Sequence, residues 1–298
     1  MSGDIQYFNR QTRTVETEKV LGDGLLRLAY CTPARHVLSW PLFGFSVCSR
    51  LLGWYANQEF SRRKVASTIR DMQIDMADYE VPPQGFRTFN EFFTRHVKPG
   101  ARPFYGDGLC SPADGRLTVW PELRRFTCIP VKGAEFTVPE LLGKRGTEYA
   151  SLFEDGTLMV CRLCPVDYHR YHFPASGQIL EKWRLPGRYH SVNPLALEQN
   201  LRVFTTNVRE VTMLELEHFG KCAFIAVGAF GVASITDTHP EKSFQRGEEA
   251  GYFSFGGSTL ILIFQKNRLR FDQDLLQRSA AGMECLVKAG EPIASVVS

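Results

Sequence analysis

Apolar positions change their rhythm near residue 80 of this 298-residue chain. From about residue 19 to about residue 76, Leu21, Leu25 and Leu28, and later Leu51, Leu52, Val65 and Ile69, recur among good helix formers, which predicts several short helices. Pro33, Pro41 and Gly44 interrupt them. Around residues 79–86 the string DYEVPPQGF favours an extended connector, because proline biases the residue before it away from the helical region. Beyond it, β-branched and aromatic runs alternate with turn residues: RLTVW, TLMVCRL, REVTMLEL, KCAFIAVGAFGVASI and STLILIF. A helical turn is expected at residues 138–142, and FNEFF at 89–93 reads as a helix start capped by Asn90 or Thr88.

The expected fold class is therefore α+β, with N-terminal short helices (residues 1–80) followed by a mostly antiparallel, β-rich body (residues 81–298). No internal repeat or low-complexity run points to a solenoid or a disordered linker.

Composition narrows the classes. With 44% hydrophobic residues a chain of this length can bury a large core. The formal charge is only +3 and there is no Lys/Arg tract, so no nucleic-acid partner is expected. Eight scattered cysteines, with a polar start that lacks the apolar segment of an export signal, fit reduced thiols in a cytoplasmic setting. The uncharged stretch at residues 36–49 falls short of the roughly 20 apolar residues that span a bilayer.

The helical front mixes Trp40, Phe43, Phe45, Leu51, Leu52, Trp54 and Tyr55 with Arg50, Arg62, Arg63 and Lys64. Aromatic wedges among cations suit a surface lying on anionic lipid. The plainer alternative packs the aromatics against the β body and leaves the cations solvated.

Four strings carry candidate chemistry. In FGGST (255–259) two glycines and two hydroxyls interrupt what otherwise reads as continuous strand. Glycine lets the backbone approach closely, which would bring Ser258 Oγ onto the carbonyl carbon of Gly257; an ordinary turn is the alternative. CPVDYHRYHFP holds His169 and His172 three apart, without the spacing and glutamate of a helical zinc site, so no metal is expected. Imidazoles that titrate near ~6.5 suit proton transfer, although two structural histidines would read the same. Asp114 in SPADG reads locally as a hairpin turn, or as an orienting carboxylate for a base and a nucleophile. CRLC, at Cys161 and Cys164, sits in an apolar strand whose residues three apart face opposite ways, which favours core packing.

In this order the strings resemble the phosphatidylserine decarboxylase family. YFNRQTRTVETEKV, FNEFFTRHVKPGARP, SPADG, VKGAEFTVPELLG, RLCPVDYHRYHFP, YHSVNPLAL, VGAFGVASI and GYFSFGGST carry the likeness over most of the chain. Two departures, Ala233 where many relatives have glycine and Val208 where an acidic residue is common, lie away from these candidate residues.

The resemblance implies a self-cleaving precursor that decarboxylates phosphatidylserine to phosphatidylethanolamine. Asp114, His172 and Ser258 match the family's self-cleavage triad, and His169 the nearby histidine implicated in decarboxylation. Cleavage between Gly257 and Ser258 would leave a large subunit of residues 1–257 and a small subunit of residues 258–298. Ser258 would become a covalent pyruvoyl cofactor, the Schiff-base site for the substrate amine. The family also implies a body resembling a barrel-sandwich hybrid and a homodimer, held peripherally on the cytoplasmic face of the cell membrane through the N-terminal region. Two other classes stay open at this point: a hydrolase using the same three residues on an external ester, and a lipid-binding scaffold without the chemistry.

Overall fold

The computed structural model describes residues 5–18, 46–123, 136–190, 202–229 and 234–297. Strands are numbered in chain order. A ten-stranded sheet runs β11 (Ser243–Phe244), β7 (Gly177–Leu185), β8 (Arg209–Leu216), β9 (Gly220–Gly228), β13 (Ser258–Phe264), β5 (Thr157–Leu163), β4 (Gly115–Trp120), β15 (Glu284–Val287), β1 (Gln6–Asn9) and β2 (Thr14–Thr17). Its ladders are antiparallel apart from β1 with β15, which is parallel. Strand content thus begins at the amino end of the chain, ahead of the helical front.

The runs STLILIF and TLMVCRL show no polar alternation, and both strands are buried along their whole length at the centre of this sheet. Leu260, Leu262 and Phe264 enter one core and Ile261 and Ile263 the other, as a period of two requires. The first core lies under two three-stranded sheets, β10 (Ile235–Asp237), β12 (Glu249–Phe253), β6 (Arg170–His172) and β14 (Leu269–Phe271), β16 (Pro292–Val296), β3 (Leu109–Cys110). The second lies under helices at Val138–Leu142 and Val203–Thr206 and the 3-10 segment Lys144–Phe153. A capping box between Thr137 and Glu140 starts the first of these helices.

The α+β class stands. The barrel part of the resemblance does not: among the described residues the edge strands β11 and β2 do not pair, and the sheet stays open. Each of its apolar faces is covered by a separate layer, so closure is not needed to bury them.

The helical front comprises α1 (Ser46–Ala56), a 3-10 turn (Glu59–Arg62) and α2 (Arg63–Asp71). It packs on α3 (Phe89–Phe93) through Val65, Phe89, Phe92 and Phe93. Thr88 caps α3 by accepting the Glu91 N–H at 3.0 Å. Leu51 and Trp54 are 60% exposed and Phe60 48%, so these three do not pack into the body. Leu21, Leu25, Leu28, Trp40, Phe43, Phe45 and the Arg50 side chain lie outside the described residues. Among the described residues no helix is long and apolar enough to cross a membrane.

Between the N-terminal hairpin and β5, Arg162 bridges Glu18 and Glu284, while Arg116 pairs with Asp167. CRLC divides accordingly: Cys161 lies in the first core, and Cys164 Sγ accepts from Arg162 Nη1 at 3.0 Å.

Candidate active site

Ser258 opens β13, opposite Leu163 on β5 and Gly228 on β9, and is wholly buried. By strand alternation its side chain shares the face of Leu260, the face under the sheet that carries His172. Its hydroxyl has no hydrogen-bond partner among the described residues. A buried hydroxyl without a partner is costly, of the order of 1–3 kcal/mol, so such a group marks either strain or chemistry.

The residues before it explain the glycines. Gly256 has φ +142°, a conformation that side chains rarely adopt, and the Gly257 carbonyl accepts the main-chain N–H of Ala229 at 3.1 Å. Phe255 anchors the bend. Its N–H donates to Asn90 Oδ1 at 2.8 Å, and its ring meets Phe89 and Phe93 edge-on at 4.9 and 5.3 Å.

His169 lies at the other end of that aromatic group, its ring 3.8 Å from Phe93. The His169 carbonyl accepts the Phe253 N–H at 3.0 Å, tying it to the strand that leads into the glycines. Its Nδ1 is 3.0 Å from the Asp167 carbonyl, which can only accept, so Nδ1 carries the proton and Nε2 the lone pair. That Nε2 is buried and has no partner among the described residues. Burial pushes the His169 pKa down to about 3, so the ring is neutral at physiological pH.

His172 ends β6. The same reasoning gives it a proton on Nδ1, 2.9 Å from the Gly247 carbonyl, and a lone pair on Nε2, 3.2 Å from the Tyr168 hydroxyl. Burial lowers its pKa as well.

Asp114 is not a hairpin turn. It occupies a bend between β3 and β4, which belong to different sheets, and is wholly buried. Arg102 grips it with two bonds of 2.9 and 2.8 Å, Lys288 Nζ stands 3.2 Å away, and the Ala289 N–H donates at 2.8 Å. Burial alone would raise its pKa, but Lys288, Arg102 and the Ala289 amide together hold it at about 2. Asp114 is hydrogen-bonded to neither imidazole, although its charge favours the protonated form of both. Nor is either imidazole bonded to Ser258.

The sequence reading did not single out Arg102, Tyr168, Lys288 or Asn90 for these positions. Arg102 and Asn90 fall in FNEFFTRHVKPGARP and Tyr168 beside the histidines, so their strings were in view; nothing local marks Lys288.

Residues 89–295 match the sequence model of the family described as phosphatidylserine decarboxylase. The chain belongs to the phosphatidylserine decarboxylase family. It is 40% identical over 294 residues to a phosphatidylserine decarboxylase proenzyme of Clostridium botulinum, covering 98% of this chain and 99% of that relative. The proenzyme of the same name in Fusobacterium nucleatum is 37% identical over 96% of both chains. That of Desulfitobacterium hafniense is 37% identical over 97% of both. Within the matched stretch, the Ser258 hydroxyl and His169 Nε2 are both buried without partners among the described residues.

Proposed function

We propose that this chain is a precursor that cuts itself before Ser258 and, once cut, decarboxylates phosphatidylserine to phosphatidylethanolamine. The observation that carries the reading is a combination: the Ser258 hydroxyl, like those of Thr157 and Thr259, is buried without a partner among the described residues, but it alone follows a carbonyl engaged by the Ala229 N–H and a glycine at φ +142°. In the intact chain Ser258 is wholly buried, and the acyl carbon next to its hydroxyl is that of its own Gly257.

In cleavage, His172 Nε2 takes the Ser258 proton as Oγ adds to the Gly257 carbonyl carbon. The bond from Tyr168 to that nitrogen has to open first. Asp114 supports the base through its charge, without a hydrogen bond to it. The ester then breaks as the Ser258 α proton is lost and Gly257 leaves as a carboxylate; the dehydroalanine that remains takes up water and releases ammonia to become the pyruvoyl group, giving subunits of residues 1–257 and 258–298.

The residues fit the pyruvoyl group derived from Ser258: it would sit at the free end of a buried central strand, among apolar neighbours that exclude water. That group supplies the electron-withdrawing carbonyl for loss of CO2. His169 sits beside β6 and β12, in the layer that covers the Ser258 face of the large sheet, and its part is to return a proton to the substrate carbon. Its Nε2 holds only a lone pair in the intact chain, so it must first gain a proton, which an anionic substrate beside it favours.

The exposed Leu51, Trp54 and Phe60, next to exposed Arg62, Arg63 and Lys64, suit docking on anionic lipid at the cytoplasmic face of the cell membrane. The homodimer belongs to the same reading through the family resemblance.

Intact-mass analysis tests the proposal. The active protein should be two fragments divided before Ser258, with the smaller one blocked at its amino end, and Ser258→Ala should stay whole and inactive. An uncut chain that releases CO2 from phosphatidylserine would overturn it.

A further inference from the structure

We infer that the main-chain N–H of Ala229 stabilises the oxyanion formed at Gly257 during self-cleavage, and that Asn207 is the positioning residue that aims it. The inference rests on the self-cleavage reading above and adds to it a donor and the side chain that holds the donor in place.

When Ser258 Oγ adds to the Gly257 carbonyl carbon, the carbonyl π electrons move onto oxygen. When that adduct collapses, the bond to the Ser258 nitrogen breaks. The nitrogen takes the proton removed from Oγ, leaving an ester and a free amine. The negative charge in between sits on the Gly257 oxygen, inside a buried layer where a fixed dipole acts more strongly than in water. Ala229 is itself wholly buried, and its N–H is 3.1 Å from that oxygen, at the outer edge of the distance such a donor keeps to an oxyanion.

The aim of this N–H is set from behind. A peptide group is planar, so the Ala229 N–H and the Gly228 C=O are two ends of one rigid unit pointing in opposite directions. Asn207 Nδ2 donates to that Gly228 oxygen at 2.8 Å. Fixing one end fixes the other, and a hydrogen bond accepted at the carbonyl makes the amide a stronger donor. The Gly228 N–H is held as well, by the Val208 carbonyl at 2.9 Å.

Asn207 is fully committed to this place. It is wholly buried; its second Nδ2 proton goes to the His190 carbonyl at 2.8 Å, and its Oδ1 accepts the His190 N–H at 3.0 Å. It follows the helix Val203–Thr206 and precedes β8, so its side-chain amide continues the ladder along β9 where the main chain of β8 has turned away. The register leaves little freedom, since Gly228 is directly opposite Ser258.

The test follows cleavage of freshly translated full-length chain by intact mass, with thermal unfolding measured in parallel. Two changes are made: Ala229 replaced by lactic acid, which swaps only the N–H for oxygen, and Asn207→Asp, which keeps the acceptor for His190 and removes the donor to Gly228. Loss of the N–H should slow cleavage by about 10²–10³-fold, the usual effect of one such donor. Asn207→Asp should slow it at least about tenfold, as expected for losing one supporting hydrogen bond.

Hydroxylamine cuts a waiting ester, so it should restore neither variant, because the ester-forming step is the one impaired. Cleavage of a folded lactic acid variant at the wild-type rate, or rescue of it by hydroxylamine, overturns the inference. The lactic acid variant alone decides if Asn207→Asp does not fold. An unaltered chain that never cleaves counts against the self-cleavage reading instead.

Discussion

Lys288 Nζ stands 3.2 Å from Asp114 Oδ2, and the two residues lie on opposite sides of the bond between Gly257 and Ser258. The contact is one of several that cross this bond. β13 is paired on both sides, with β5 and β9, and β15 lies between β4 and β1. Arg10 holds Asp272, Asp274 and Glu291 at 2.7–2.8 Å. Cutting before Ser258 therefore removes one covalent link and leaves the core of the sheet intact. We expect the two fragments to elute together in size exclusion, at 1 M salt as well, and to separate only in denaturant. High salt weakens the exposed ion pairs but not the buried strand pairing. Fragments that part in native buffer would show that this packing is not what holds the cut protein together.

Stability should depend on pH through His169. Its folded pKa is about 3, against 6.5 for an ordinary imidazole. Between those values the unfolded chain binds a proton that the folded chain does not, so stability falls as the solution is acidified below pH 6.5. His172 is shifted in the same direction and adds to the trend. In a Ser258→Ala background, which keeps the chain whole, His169→Gln should reduce the loss of stability between pH 7 and pH 5 by about 2 kcal/mol. Denaturant titrations at the two pH values measure it. An unchanged pH dependence would mean that the folded protein protonates His169 as readily as the unfolded one.

Tyr168 offers a test of the base. Its hydroxyl occupies His172 Nε2 in the intact chain, and burial raises its own pKa well above the usual phenol value, so it does not ionise to take part. Removing the hydroxyl with Tyr168→Phe leaves the His172 lone pair open. Cleavage should then run at least as fast as in the unaltered chain, whereas His172→Ala should stay uncut. Slow cleavage in Tyr168→Phe would indicate that the phenol passes the proton along instead of standing in its way.

The strands were legible because their apolar runs had no competing interpretation. STLILIF and TLMVCRL became β13 and β5 without a shift in their bounds, and Thr88 caps the helix that FNEFF suggested. The open sheet was not legible, because closure depends on which layers cover each face and no local pattern states that. The neighbourhood of Asp114 was hidden for a similar reason. Its partners Arg102 and Lys288 are separated from each other by most of the chain, and a single lysine in a string such as LVKAGEP carries no sign that it will meet a buried carboxylate. Spacing also brought His169 and His172 to notice together while saying nothing of their different surroundings. One ring, beside Phe93, ends with a lone pair that has no partner among the described residues, and the other with a lone pair engaged by Tyr168.

The exposed aromatics of the front are connected to the segment that precedes Ser258. At the end of α1, Asn57 Oδ1 accepts from Asn90 Nδ2 at 3.0 Å, and Asn90 Oδ1 in turn holds the Phe255 N–H. Leu51 and Trp54 protrude from the same helix, so changing them alters the proposed docking face without touching this path. Because both are largely exposed, Leu51→Ser with Trp54→Ser should change folding stability by no more than about 0.5 kcal/mol each. Each apolar group lost from a lipid contact removes about 1.5–3 kcal/mol of favourable transfer, so binding to vesicles containing phosphatidylserine should weaken by on the order of 10²-fold or more. Self-cleavage, and turnover of a water-soluble short-chain phosphatidylserine, should stay near the unaltered rate. Sedimentation with vesicles, read beside CO2 release from the two substrate forms, separates docking from chemistry. Vesicle binding that survives both changes would move the lipid contact to another part of the surface.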